Sequence, residues 1–228
     1  MVFRQQLDAQ TVSKLGLGTG VKQFEVYITR LCEFNLAEYK KTKKPTVETV
    51  KCIIDQLINA QAQLEEAGVS HNDTKPRNIL IDTCDDNGVH VYIGDFGQAD
   101  KKGGTPGWTP PDFLEDRIPG VTDMYSFGRV FLYVLCENAD LFYAIRDNII
   151  FEEDVNEQWY QNFLQLPEIK LVLQMVKPDP ADRISVGDLK KQWKQIRSTV
   201  QCISEDRLNF PKMYKNCQGN PSISQLER

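Results

Sequence analysis

A polar segment, a short hairpin and an Asp-Phe-Gly tripeptide constrain this chain more than any other feature. Residues 70–81 read SHNDTKPRNILI, and residues 94–97 read GDFG. An Asp is thus followed by a Lys two residues on, an Asn five residues on, and a second Asp beyond the hairpin. A base, a cation and hard oxygen ligands for Mg²⁺ are the groups that phosphoryl transfer requires. The spacing therefore predicts a phosphoryl-transfer centre.

Each residue type in this pattern has a task in that chemistry. Asp73 is expected to accept the proton of an incoming hydroxyl, and Lys75 to steady the transferring phosphate. Asn78 and Asp95 are expected to present oxygen ligands to Mg²⁺, which prefers such donors. The predicted catalytic pair is therefore Asp73 and Lys75, and the predicted metal pair is Asn78 and Asp95.

Composition narrows the class of protein. The 228 residues are 41% hydrophobic and 26% charged, which is ordinary for a globular chain of one domain, or one lobe plus a tail. The net charge of −5 gives no excess of basic residues for a nucleic-acid backbone, so nucleic-acid binding is not expected. The six cysteines form no Cys-x-x-Cys pair and are expected to be reduced thiols. No signal segment and no apolar run of roughly 18 residues is visible, so a cytoplasmic location without a membrane partner is expected by default.

Periodicity places the motif among recognisable elements. Residues 12–32 predict a hairpin around the glycine-rich turn 16–20, with 24–28 as its clearer strand. A phosphate loop is less favoured for that turn, because it lacks the Walker lysine and a following helix. The other predicted elements are a helix at 47–67 capped by Thr46 and stopped by Gly68, strands at 79–81 and 89–93, a buried helix at 123–137, helical stretches at 138–176 and 186–201, and a loosely docked tail from 204.

Five motifs in this order resemble the carboxyl-terminal lobe of eukaryotic protein kinases, over about residues 12–200. His71-Asn72-Asp73 stands where that family has His-Arg-Asp, and Asp95-Phe96-Gly97 is unaltered. The remaining three are residues 104–112 at the end of the activation segment, 123–128 at the start of the central helix, and 179–183 at the late Arg motif.

The resemblance implies an α+β, mostly α, protein kinase-like fold: a helical C-lobe with a remnant β-hairpin of the N-lobe. Its implied divisions are 1–34 for the hairpin and hinge, 35–203 for the C-lobe and 204–228 for a tail. It implies ATP and Mg²⁺ as cofactors and a protein substrate, with Lys75 favouring Ser/Thr acceptors. The implied nucleotide contacts are Arg30, Cys32 and Leu80, beside a gatekeeper at Thr29.

The resemblance also implies structural roles for three further residues. Asp123 is expected to hold the catalytic loop, and Arg183 to pair with Asp112. Thr105 is expected to support Asp73 rather than to serve as a phosphorylation site. Lys101 and Lys102 either lie in a solvated turn or attract an acidic substrate or the phosphates of a nucleotide.

Two departures bear on activity. Asn72 replaces the arginine that grips a phosphorylated activation loop in many kinases, so activation by loop phosphorylation is not expected. Only 72 residues precede Asp73, and no Gly-x-Gly-x-x-Gly loop, strand lysine or helix glutamate can be assigned among them. Residues 3–10 are interpreted as the tail of the helix that would carry that glutamate.

Three functions remain open. The first is a Ser/Thr kinase unit, either a fragment of a longer kinase or a minimal form that borrows the missing N-lobe elements. The second is a catalytically silent kinase mimic that docks on a kinase or its substrate, through an apolar face expected at 29–36 and Leu80. The third is a small-molecule phosphotransferase of the aminoglycoside or choline type, which leaves 104–112 and 123–128 unexplained.

Overall fold

The structure is a computed structural model and describes residues 3–7, 24–28, 30–84, 88–99, 104–110, 121–151 and 158–209. The chain divides into two compact units, Met1–Glu33 and Phe34–Arg228. The shorter unit holds strands β1 (Phe3–Leu7) and β2 (Phe24–Ile28). The two strands pair antiparallel, with Phe3 opposite Ile28 and Leu7 opposite Phe24.

This pairing corrects two predictions for the first unit. Residues 3–7 form a strand, so the interpretation of residues 3–10 as a helix tail was wrong. The strand at 24–28 was predicted, but its partner is β1 and not a segment next to the glycine-rich turn. The predicted turn at 16–20 lies outside the described residues. Strand pairing joins distant segments, and alternation within one segment does not show its partner.

The longer unit contains a small sheet that carries part of the site. Strands β3 (Phe34–Asn35), β4 (Ile79–Thr83) and β5 (Val89–Ile93) form an antiparallel sheet in the order β3-β4-β5. Ile79 lies opposite Ile93, and Thr83 opposite Val89. The predicted hairpin is therefore confirmed, with β4 two residues longer than expected.

Helices make up most of this unit, so the expected α+β, mostly α, architecture is confirmed. In chain order they are α1 (Leu36–Lys43), α2 (Val47–Glu66), α3 (Val121–Leu135), α4 (Ala139–Phe151), α5 (Gln158–Gln165), α6 (Pro167–Met175), α7 (Val186–Ile196) and α8 (Glu205–Leu208). None of the described helices is long and apolar enough to span a bilayer.

Helix α2 forms where local signals predict it. The Thr46 side chain accepts a hydrogen bond from the Thr49 backbone N–H, which caps the helix. Gly68 follows the last turn with φ +67°, a left-handed conformation that suits glycine. The predicted apolar face is buried; its members are Val50, Ile53, Ile54, Leu57, Ile58 and Leu64. This helix leads directly into the polar motif.

Helix α3 is the centre of the core. Every residue from 123 to 136 is buried, and the helix packs against α2 and α6. Gly128 permits the close approach of α6, because a Cβ there would lie 2.8 Å from the Met175 Cβ and 2.7 Å from the Val176 Cγ1. At the other end, the buried Lys40 amine donates to the carbonyls of Tyr133, Val134 and Cys136. A lysine of α1 therefore caps α3.

Residues 204–209 are docked on the helical unit. The Ser204 side chain caps α8, and Leu208 is fully buried. Arg207 donates to the buried Glu168 carboxylate over 2.6 Å. The expectation of a loosely docked tail from residue 204 was therefore wrong for these six residues, because one buried leucine and one ion pair hold them. Residues 210–228 lie outside the described part.

Candidate active site

A buried carboxylate at the start of α3 holds the polar motif. The Asp123 carboxylate accepts the backbone N–H groups of His71 at 2.6 Å and Asn72 at 2.8 Å. Asn72 has φ +66°, a conformation that asparagine tolerates better than most residues. Its amide donates to the carbonyls of Ser70 and Gln98. The loop is thus held by Asp123 through its backbone and by Gln98 through the Asn72 side chain, and Asp123 has the role that the resemblance implied.

Three donors surround the Asp73 carboxylate. Thr105 Oγ1 donates to Oδ1 at 2.6 Å, and Lys75 Nζ donates to Oδ2 at 2.7 Å and to the Thr105 hydroxyl oxygen at 2.7 Å. Asn78 Nδ2 donates to Oδ2 at 3.2 Å and to the Asp73 carbonyl at 2.8 Å. The structure therefore brings together three of the four predicted catalytic and metal residues, with Thr105 in the supporting position expected for it.

The β4–β5 register brings the two predicted metal ligands to one end of the hairpin. Because Ile79 pairs with Ile93, the residues flanking them, Asn78 and Gly94, also meet. The Gly94 N–H donates to the Asn78 carbonyl at 2.8 Å. Asp95 follows immediately, so its carboxylate belongs to the same end of the sheet as the Asn78 amide.

His71 ties this end of the hairpin to the catalytic loop. Its Nδ1 accepts the Asp73 N–H at 3.2 Å, and its Nε2 lies 2.9 Å from the Gly94 carbonyl oxygen. This geometry corresponds to a neutral ring that carries its proton on Nε2. The ring also packs edge-on against Phe96, with centroids 4.8 Å apart. One imidazole therefore positions both Asp73 and the segment that carries Asp95.

Two of the predicted residues present the oxygen donors that Mg²⁺ prefers. Asn78 donates through its nitrogen, which leaves its amide oxygen as an acceptor. The exposed Asp95 accepts the Gly97 N–H through Oδ1 at 3.3 Å and presents a second carboxylate oxygen. Within the described residues there is no cluster of three or more His, Cys, Asp or Glu suited to a metal. Two protein oxygens suit Mg²⁺, which commonly takes its other ligands from phosphates and water.

The remaining predicted contacts are placed less completely. Leu80 is partly buried in β4, and its side chain packs under Gly94, where a Cβ would lie 2.8 Å from Leu80 Cδ1. Arg30 and Cys32 belong to the shorter unit, so their adenine contacts stay predictions. Thr29, Lys101, Lys102 and Asp112 lie outside the described residues, and the Arg183–Asp112 pairing remains a prediction with them.

A cavity of about 360 Å³ adjoins this centre, and the sequence did not reveal it. Lys75 and Thr105, which hold Asp73, both line the cavity. Arg77 lies beside them and was not singled out from the sequence, although a cation between Pro76 and Asn78 was a visible signal. The other lining residues are Ala37, Pro76, Gly104, Pro106, Trp108, Tyr133 and Tyr143.

Comparison with known proteins agrees with this geometry. Residues 22–194 match the protein kinase domain family, so the chain belongs to that family. The expected kinase-like fold is thereby confirmed, and the aminoglycoside or choline phosphotransferase alternative is set aside.

Individual relatives are serine/threonine kinases or kinases by name. A human "Serine/threonine-protein kinase/endoribonuclease IRE2" is 31% identical over 50% of this chain and 14% of its own length. A Dictyostelium discoideum "RAC family serine/threonine-protein kinase homolog" is 27% identical over 82% of this chain and 44% of its own length. "CBL-interacting protein kinase 33" of Oryza sativa subsp. japonica is 29% identical over 60% of this chain and 33% of its own length. The chain spans less than half the length of these relatives.

Proposed function

We propose that this chain transfers the γ-phosphoryl group of ATP to serine or threonine hydroxyls of proteins. The proposal rests on the hydrogen bonds that Lys75, Thr105 and Asn78 donate to the Asp73 carboxylate, because these bonds fix its orientation. A lobe that served only as a scaffold would have no physical need for these four groups to converge. The serine/threonine kinase relatives support the same acceptor class.

Asp73 retains the capacity to accept a substrate proton. A carboxylate offers about four lone-pair sites. Two donors occupy Oδ2, from Lys75 and Asn78, and one donor occupies Oδ1, from Thr105. One site on Oδ1 therefore remains for an incoming hydroxyl. The side chain is 10% exposed, so it reaches the surface while its neighbours fix its direction.

The other residues act by orientation and charge. Bound Mg²⁺–ATP would supply the electrophilic γ-phosphoryl group. The amide oxygen of Asn78 and the carboxylate of Asp95 would hold the metal, and the Lys75 ammonium would face the transferring phosphate. The Lys75 ammonium group is hydrogen-bonded to both Asp73 and Thr105, so its positive charge is already fixed next to the base.

Kinases hold the nucleotide with a glycine loop, a strand lysine and a helix glutamate, here called the nucleotide clamp. The glycine loop, strand lysine and helix glutamate cannot be assigned in residues 1–72, so we propose that turnover requires these elements from another polypeptide segment or partner. The alternative, a silent mimic that modulates a kinase, rested on an exposed apolar face at 29–36 and Leu80. Leu31 is 93% exposed, as that face requires, whereas Leu36 is 1% exposed and Leu80 is partly buried, so the predicted face was wrong at the latter two positions.

Calorimetry of ATP binding tests the proposal. Wild type, Asp95→Asn and Asp140→Asn are titrated with ATP in the presence and absence of Mg²⁺; Asp140 is an exposed aspartate in α4 and serves as the matched control. We expect Mg²⁺-dependent binding that Asp95→Asn weakens at least about tenfold, since even outer-shell partners of a metal contribute roughly 10–100-fold in affinity. Peptide phosphorylation is then measured with Asp73→Asn as the inactive reference.

The outcomes separate the two functions. Binding that is equal in wild type and Asp95→Asn, or absent at millimolar ATP, contradicts Mg²⁺–ATP binding by this chain and favours the silent mimic. Binding without phosphorylation locates the deficiency in the missing clamp, and adding a kinase N-lobe in trans should then restore transfer.

A further inference from the structure

We propose that Arg77 selects protein substrates with an anionic side chain next to the accepting hydroxyl, an inference that rests on the proposed kinase function. The position of the cavity is the first reason. Lys75 and Thr105 line it and at the same time contact the two carboxylate oxygens of Asp73. A peptide segment seated in the cavity would therefore bring its hydroxyl close to the base.

The balance of charge is the second reason. Lys75 and Arg77 line the cavity, and no acidic side chain is found in the described lining. The Lys75 charge is matched by Asp73, 2.7 Å away. Arg77 is exposed, and the described part of the structure contains no hydrogen bond or ion pair to its guanidinium. Among the described lining residues, Arg77 is thus the cation without an acidic partner, and its planar fork suits a carboxylate or phosphate group.

The backbone holds Arg77 at a set distance from the catalytic centre. It lies in the 3₁₀ turn Pro76–Asn78, which is closed by the Asn78 N–H donating to the Lys75 carbonyl at 2.9 Å. Pro76 is buried and restricts the turn further. Arg77 therefore lies between Lys75 and Asn78, whose side chains both contact Asp73, so an anion bound to its guanidinium would lie within a few residues of the acceptor.

The aromatic lining and the size of the cavity limit what can enter. Trp108 and Tyr133 are buried aromatic residues with ring centroids 5.9 Å apart, and Pro106 lies beside them. A volume of about 360 Å³ is at the lower end of the roughly 300–1,000 Å³ of ligand pockets. It accommodates a few side chains of a peptide and not a folded domain. A short extended segment with one carboxylate or phosphate group matches the shape and the charge.

Fluorescence anisotropy with labelled peptides tests this inference without ATP. One peptide series places a single Glu at successive positions on either side of a serine, and matched series carry Gln, Lys or phosphoserine there. The full chain is compared with Arg77→Gln and Arg77→Glu; the control is Lys190→Gln, an exposed cation of α7 outside the cavity. Circular dichroism confirms folding, which an exposed side chain is not expected to affect.

We expect the best Glu peptide to bind about fivefold more weakly to Arg77→Gln, with Gln peptides and Lys190→Gln unaffected. Arg77→Glu should reverse the preference toward Lys. If phosphoserine gains more from Arg77 than Glu does, the anion comes from a previously phosphorylated substrate; a larger gain for Glu assigns it to an acidic residue. Equal binding of Glu and Gln peptides by wild type, or no binding at all, overturns the inference.

The same peptides distinguish this failure from failure of the proposed function. Phosphorylation of Glu and Gln peptides at equal rates, by wild type and Arg77→Gln alike, removes the selectivity and leaves the kinase function in place. Arg77-dependent binding without any phosphorylation, even with a nucleotide clamp supplied in trans, removes the kinase function and leaves an anionic-peptide site.

Discussion

The Thr105 hydroxyl donates a 2.6 Å hydrogen bond to a carboxylate oxygen of Asp73, which lies 32 residues earlier in the chain. The same hydroxyl oxygen accepts a hydrogen bond from Lys75. This contact links the segment 104–110 to the polar loop and makes the direction of the Asp73 carboxylate depend on both.

Thr105→Val should therefore lower kcat strongly while it changes the free energy of unfolding little. The substitution removes the donor to Asp73 and the acceptor for Lys75 while it preserves side-chain volume. We expect kcat for peptide phosphorylation to fall about 10²-fold, because small errors in the placement of a base have effects of that size. ATP affinity, measured by calorimetry, should change little.

Two variants control for loss of a hydroxyl. Thr105→Ser keeps the donor and should retain most of the turnover. Thr199→Val removes a hydroxyl that bonds only locally, to the Ile196 carbonyl, and should leave kcat unchanged. A Thr105→Val protein with the same kcat as wild type would show that Asp73 needs no such support.

Asp123→Asn should destabilise the protein and loosen the catalytic loop. Asn retains one acceptor oxygen but loses the charge that binds the N–H groups of His71 and Asn72. Bonds to a charged group are each worth about 1.5–3 kcal/mol, so we expect a loss of about 2–4 kcal/mol in the free energy of unfolding, measured in urea. Asp140→Asn, an exposed counterpart, should cost less than about 1 kcal/mol. Equal effects of the two variants would contradict the role of Asp123.

Gly128→Ala tests the packing of α3 against the C-terminal end of α6. The added methyl group meets Met175 and Val176 within 2.8 Å, and overpacking of this kind costs about 1–3 kcal/mol. Gly187→Ala is the matched control in α7, where the nearest atom would be 3.8 Å away. It should be neutral or stabilise by up to about 1 kcal/mol through helix propensity. Thermal or urea unfolding measures both; the reverse order would disprove the close approach.

Lys40 should make stability depend on alkaline pH. Burial lowers the pKa of Lys40 from 10.5 to about 8. Between these values the unfolded chain binds the proton and the folded chain has released it, so the free energy of unfolding rises with pH across the window. This contribution is lost as pH falls through about 8. Relative to Lys40→Met, wild type should gain up to about 3 kcal/mol from pH 8 to 10.5, measured by urea unfolding.

Lys41→Met controls for the removal of one positive charge, because Lys41 is the exposed neighbour in α1. A difference between wild type and Lys40→Met that stays flat from pH 8 to 10.5 would show that the three carbonyl acceptors keep the ammonium charged throughout.

Elements built from local signals were predictable. The Thr46 cap and apolar stripe located α2, and the strands around 79–93 pair as expected. In each case the deciding interactions join residues a few positions apart. Strand β1 was missed for the opposite reason, since its partner lies about twenty residues away.

The amino-acid sequence by itself indicated the family, and it placed Asp73, Lys75, Asn78 and Asp95 at a spacing that predicts phosphoryl-transfer chemistry. The resemblance already implied that Thr105 and Asp123 orient the loop, and their contacts agree with it. Only the tertiary structure decided that Lys40 is buried at the end of α3 and that Arg77 lies beside a cavity with no acidic residue in its described lining. Lys40 and its acceptors at the end of α3 are 93 to 96 residues apart, and the cavity beside Arg77 is lined by segments distant in the chain. Tertiary packing alone brings such distant segments together, and no local pattern encodes that packing.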